Sequence, residues 1–144
     1  MSISRRLVIQ RAAAIWPLGQ VRYSQATIRD PGWRTDCSGY VSMCLDLPQP
    51  GPNTVDLVVD GYIHPISRDE LLAGDLVGRC GPGTSGDVGH VVLFDRWAQG
   101  HDLYWAYEFH GGPGLGPGHS LIPYPYHGLD GYQPYRYQHI VDDP

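Results

Sequence analysis

The order of predicted elements points to an α+β fold, with N-terminal helices packed on an antiparallel β-sheet. Helical segments fall in the first third of the chain, and strand-like segments then follow one another with no long helix between them. The 19 glycines and 13 prolines favour turns and loops over a helical bundle. The 144 residues suit a single domain, spanning 1–144, and neither a repeat nor a linker divides them.

Residues 2–16, SISRRLVIQRAAAIW, read as an amphipathic helix, with Ile3, Leu7, Ala14 and Ile15 near helical spacing and Pro17 as its stop. Residues 18–36 read as loop, carrying Gly19, Pro31 and Gly32. A second helix starts near Cys37. Its Cys37, Val41, Cys44 and Leu45 lie at i, i+4, i+7 and i+8 and form one buried stripe, closed by Pro48 and Pro50. Ser67 and Glu70 have capping-box spacing and predict a short helical turn before Leu71. Gly74-Asp75 reads as a turn, and 75–80 as a strand. The runs HVVLFDRW (90–97) and DLYWAYEFH (102–110) are strongly β-prone and joined as a hairpin by 98–101. Residues 80–89 and 111–128 read as Gly/Pro-rich loops, and 135–141 as a last strand.

Composition removes several classes of function. A hydrophobic fraction of 42% excludes a disordered chain. The net charge is -5, and all ten cations are arginines with no basic run, which excludes the usual electrostatic footprint for nucleic acid. No run of about 18 apolar residues predicts a membrane span. Arg5 and Arg6 precede Leu7-Val8-Ile9, but Gln10 and Arg11 interrupt the apolar run at once, a poor match to an export signal. His101, His110, His119 and His127 make no helical i, i+4 pair, and no C-x-x-C is present, so neither a metal nor another cofactor is expected. GGPGLGPG (111–118) lacks the Lys-Ser/Thr of a phosphate-binding loop.

The three cysteines are Cys37, Cys44 and Cys80. Cys37 and Cys44 on one helix stand roughly 10 Å apart, too far to bridge. Cys44 with Cys80 remains open, as a pair or as core residues. Cys37 is different in kind. A thiol is a good nucleophile only as thiolate, and a helix N-terminus favours the anion. Thr35 or Asp36 can cap that helix, Ser38 and Gly39 keep its first turn small, and a backbone N–H there can face an oxyanion.

A nucleophilic thiolate needs a histidine partner. His90 opens the most apolar strand after a glycine-rich loop, so the sheet holds it while its ring faces the rim of a cleft. A third group should orient the imidazole. Glu108 and His110 lie two residues apart on one face of the neighbouring strand. The chain has only two glutamates; Glu70 has its capping role, while Glu108 sits in an aromatic strand where a carboxylate is costly unless paired. Glu108 is the preferred orienter and His110 the alternative.

TDCSGYV, LLAGDLV and GHVVLF, in that order, resemble the NlpC/P60 family of cell-wall cysteine peptidases, and VRYSQ (21–25) resembles that family's upstream Tyr-Ser segment. The resemblance spans roughly residues 3–141. Asp-Cys-Ser-Gly alone is a weak signal, whereas three motifs in order are specific. The resemblance implies a papain-like core, with Cys37 as nucleophile and His90 as base. It implies Tyr23 near the site, and Asp36 with Ser38 holding the free amine of a stem peptide. The implied activity is hydrolysis of an amide bond in peptidoglycan stem peptides, beside D-glutamate, by a secreted or cell-wall-acting enzyme. There are departures: Ala73 stands where the family has proline, Glu108 or His110 must serve as the third polar residue where the family has histidine, asparagine or glutamine, and the loop 111–128 is unusually long and rich in Gly, Pro and Tyr. The rival readings are a non-catalytic wall-binding module, and a thiol acyltransferase or amidase on the same scaffold.

Overall fold

The computed structural model describes residues 2–143. Its elements are β1 (Ile3–Ser4), α1 (Arg5–Ala14), β2 (Ile28–Arg29), β3 (Trp33–Arg34), α2 (Cys37–Leu45), α3 (Thr54–Val59), β4 (Ile63–Pro65), β5 (Leu76–Arg79), β6 (His90–Trp97), β7 (Leu103–Glu108), β8 (Gly118–Pro123), β9 (Gln133–Tyr137) and β10 (Ile140–Val141). Six strands form one antiparallel sheet in the order β4-β9-β5-β6-β7-β8. Helices α1 and α2 pack together, and α2 lies against β6 and β7.

The β6 segment forms a strand with the predicted bounds, because its β-branched and aromatic residues suit a sheet covered on both faces. Val91 and Leu93 join the core under the helices. Val92 and Phe94 point the other way, into a second core with Leu71, Tyr104 and Ile122. A bulge between Phe94 and Arg96 shifts the register of the β6–β7 hairpin.

Several expectations need correction. In α1 the buried residues are Arg5, Val8 and Ala12, while Leu7 is 44% exposed, so the stripe lies one step round from the predicted one. The helix starts at Arg5, capped by the Ser4 side chain, because Ile3 pairs in β1 with Ile140. All nine residues of α2 are buried, not one stripe, since α1, β3 and the sheet surround it. Within 111–128, read as loop, Gly118–Pro123 forms β8 on the sheet edge, where a terminal proline loses no ladder bond. Its Ile122 is fully buried and Leu121 is 43% exposed, the alternation of a half-buried strand. The last predicted strand is two, β9 and β10, split by a turn at Gln138-His139. Elements α3, β4 and the β2–β3 ribbon were not expected. All three cysteines are free, so Cys44 and Cys80 do not pair.

Asp75 locks the frame from below. It is fully buried and accepts from Arg5 Nη1 at 3.0 Å and from Arg136 Nη2 at 2.9 Å. The Leu72 N–H also donates to it, at 2.9 Å. Arg5 further bonds Asp142 at 2.7 Å, which ties α1 to the segment after β10.

Candidate active site

The site begins with a capped helix. Asp36 precedes α2 in extended conformation, and its Oδ1 accepts the Gly39 N–H at 2.8 Å. Cys37 is therefore the first helical residue, among backbone N–H groups that lack partners in the helix. Gly39 has a steric reason: a Cβ there would lie 2.0 Å from the Arg34 carbonyl oxygen. That contact brings the β3 strand against the first turn of α2.

His90 opens β6, opposite Arg79 of β5. The glycine before it is required by space, since a Cβ on Gly89 would meet the Thr84 carbonyl oxygen at 2.2 Å and Thr54 Oγ1 at 2.3 Å. Glu108 ends β7 and is 4% exposed. Its Oε1 accepts the Tyr126 hydroxyl at 2.8 Å. The same oxygen stands 3.6 Å from His90 Nε2 and 3.7 Å from His110 Nε2. At 3.6 Å the His90 pair is an ion contact and not a hydrogen bond, and Nε2 is buried with no hydrogen-bond partner among the described residues. His110 is 60% exposed in its side chain, and its Nδ1 donates to the Gly111 carbonyl.

These contacts set the charges. Burial of the His90 ring opposes its protonated form, but Cys37 and Glu108 more than offset it and push the pKa up to about 9. For Glu108, burial favours the neutral acid, yet His90, the Tyr126 hydroxyl and His110 hold the carboxyl below its usual range. Tyr23 is pushed up to about 12, first by burial and next by the charge of Cys37. Cys37 and Glu108 thus both act on the charge of His90, and Tyr23 lines the same opening as the thiol.

Two openings reach this cluster. One, of about 580 Å³, is lined by His90, Glu108, His110, Tyr126 and Tyr132 among others. The other, of about 270 Å³, is lined by Arg34, Asp36, Cys37, Ser38 and Asn53 among others. Tyr23 lines both and braces its ring edge-on against Phe109, 5.5 Å between centroids. All seven residues singled out from the sequence (Tyr23, Asp36, Cys37, Ser38, His90, Glu108 and His110) line one or other opening.

Tyr126 and Arg34 were not anticipated. Tyr126 lies in a segment read as loop and gave no signal in the sequence. Arg34 lies in the segment 18–36 that reads as loop, and it too gave no signal there; the structure places it at the end of β3. Among the described residues no three His, Cys, Asp or Glu side chains form a group able to hold a metal ion. His101 stacks on Trp97, His119 pairs with Asp95, His127 packs on Tyr126 and His110 stands beside Glu108. No helix among the described residues is long and apolar enough to cross a membrane.

Fold and site together define an α+β domain with a helix-terminal cysteine set against a sheet-borne histidine and carboxylate. A solved structure from Staphylococcus aureus subsp. aureus Mu50, described as similar to lipoprotein and of the NLP/P60 family, has this fold: TM-score 0.57 at 18% identity over 92% of the present chain. The chain spans 41% of the length of that protein. At this identity the likeness is one of fold. No family model and no curated protein matches the sequence.

Proposed function

We propose that the protein is a cysteine peptidase of NlpC/P60 type that hydrolyses an amide bond in peptidoglycan stem peptides. The observation that carries this reading is the arrangement itself: Cys37 at the start of α2, and a partly buried His90 whose protonated form Cys37 and Glu108 both favour. The fold shared with the staphylococcal NLP/P60 protein supports the family part of this reading, and the substrate class follows the sequence resemblance.

The chemistry follows from the residues. The Cys37 thiolate attacks the scissile carbonyl, with the imidazolium of His90 as its counter-ion. Backbone N–H groups at the start of α2 face the oxyanion. As the tetrahedral intermediate collapses, the C–N bond breaks and His90 gives its proton to the leaving amine. Water then attacks the thioester, losing a proton to His90, and the acid departs as the thiolate is restored. Glu108 positions the ring and balances its charge, with His110 and the Tyr126 hydroxyl on the same carboxylate. Tyr23, Asp36 and Ser38 line the opening beside Cys37.

Purified peptidoglycan incubated with wild-type protein and with Cys37→Ala tests this. Mass spectrometry should show new stem-peptide fragments with the wild type alone. Identical fragment patterns, together with slow and equal alkylation of Cys37, Cys44 and Cys80, would leave a wall-binding module instead.

A further inference from the structure

The opening beside Cys37 contains one full cation, Arg34, and it is committed to the two residues from which the sequence resemblance expects an amine-binding role. Arg34 Nε donates to Asp36 Oδ2 at 2.6 Å, and Nη2 donates to Ser38 Oγ at 2.9 Å. Nη1 donates to the Gly51 carbonyl at 2.6 Å. The other Asp36 oxygen is already taken by the Gly39 N–H. Each carboxylate oxygen thus already accepts one bond, and the charge is matched one for one.

This is not a loose surface pair. The side chains of Arg34 and Asp36 are 17% and 9% exposed. The Arg34 backbone is fixed by its N–H bond to the Pro50 carbonyl, 2.9 Å, by its pairing with Ile28, and by the close approach of Gly39. Partly buried, charge-assisted bonds of this kind are short and hold their geometry. An incoming ammonium would have to share a mostly buried carboxylate whose charge Arg34 already matches, and would stand beside the guanidinium. The next carboxylate, Asp87, borders the other opening and has Gln25 on its Oδ1 at 3.2 Å. By contrast, three of the five Arg34 N–H groups are used, and the rest can donate to a carbonyl.

We infer that Arg34 is a specificity-determining residue, and that the opening beside Cys37 takes an uncharged, amide-blocked end of the substrate and not a free amine. This rests on the peptidase reading above. In peptidoglycan the stem peptide is joined to its glycan through an amide at its amino terminus, so a free amine appears there only after an amidase has acted. Arg34 therefore places this protein before such an amidase, on stems still attached to glycan.

The test uses two stem peptides that differ only in a free or an acetylated amino terminus. The full-length Cys37→Ala protein should bind the acetylated peptide at least about tenfold more tightly, a difference of about 1.4 kcal/mol. Adding Arg34→Met to it should free the Asp36 carboxylate and move the ratio at least about tenfold toward the free amine. Arg34→Lys, which keeps the charge, should leave the preference with the acetylated peptide and controls for folding. Tighter binding of the free-amine peptide, binding of neither, or an Arg34→Met protein that folds with the wild-type ratio would each overturn the inference. Turnover by the wild type separates the two proposals: selective cleavage of the free-amine peptide refutes the role of Arg34 and leaves the peptidase reading standing.

Discussion

Replacing Glu108 with glutamine removes one charge and little volume from the centre of the site. Two unit charges 3.6 Å apart attract by about 1 kcal/mol in bulk water and by about 5 kcal/mol at an effective dielectric of 20. Glu108 is 4% exposed, so the water figure is a lower bound. At 1.36 kcal/mol per unit, the His90 pKa should drop by at least about 1 unit from its position near 9. The consequence is specific in sign. In the proposed mechanism His90 must be protonated to stand as counter-ion and to protonate the leaving amine, so hydrolysis by the wild type should fall as pH rises through about 9. In Glu108→Gln that alkaline limb should begin at least about 1 unit earlier, and alkylation of Cys37 at pH 8 should slow. An NMR titration of the His90 ring, alongside the pH profile of iodoacetamide labelling, reads both. A His90 that titrates in Glu108→Gln where it does in the wild type would refute the reasoning, because Glu108 would then not be acting on the charge of the ring.

Other perturbations separate the parts of the site. Tyr126→Phe removes a buried hydrogen bond to a carboxylate, and the unfolding free energy in urea should drop by about 1.5–3 kcal/mol while Cys37 still alkylates selectively. Gly89→Ala forces a Cβ against the Thr84 carbonyl, so β6 must shift at its first residue; loss of selective Cys37 labelling in a protein with normal circular dichroism is the expected result. Asp75→Ala leaves Arg5 and Arg136 facing each other without a carboxylate and should cost about 3–5 kcal/mol, measured by chemical denaturation. Stability should also vary with pH in a fixed direction. The folded-state pKa of His90 is raised from 6.5 to about 9, so its contribution, on the order of 3 kcal/mol, is complete below pH 6.5 and is lost as pH rises through about 9. The Glu108 contribution, from a lowered pKa, is lost at the other end, as pH falls through its folded value. Urea midpoints from pH 5 to 10 that stay level above pH 6.5 would contradict the first of these.

The parts of this fold legible in the sequence are those where local pattern and tertiary environment agree. The β6 strand is apolar because both its faces are covered, and β7 is aromatic where the second core needs bulk. The start of α2 is marked by an N-cap, a small residue and a glycine, each with a visible contact. The unread parts are those where one level overrides another. TVDLVV (54–59) is β-branched yet helical, a short turn capped by Asn53 whose Leu57 is buried under tertiary packing. The strand β8 hides among glycines and prolines because an edge strand tolerates them and draws its register from β7. The stripe on α1 was misplaced because Arg5, a charged residue, occupies a buried position opposite Asp75, and hydropathy does not anticipate a buried arginine.

The same distinction explains why the residues proposed to react are easier to find than the residues that would control them. A nucleophile needs local features, a helix start and small neighbours, and these are written consecutively from Asp36 to Gly39. The carboxylate that supports the base needs partners drawn from wherever the fold returns: Glu108 receives Tyr126 from 18 residues away. Without that hydroxyl and the two imidazoles, burial would favour the neutral acid, and the charge holding His90 protonated would be lost. Tyr126 is thus tied to the chemistry through two intermediaries, Glu108 and then His90, and no pattern within its own segment records it. Arg34 stands at one remove only, two residues from Asp36, and its bond to that aspartate depends on β3 ending against the first turn of α2.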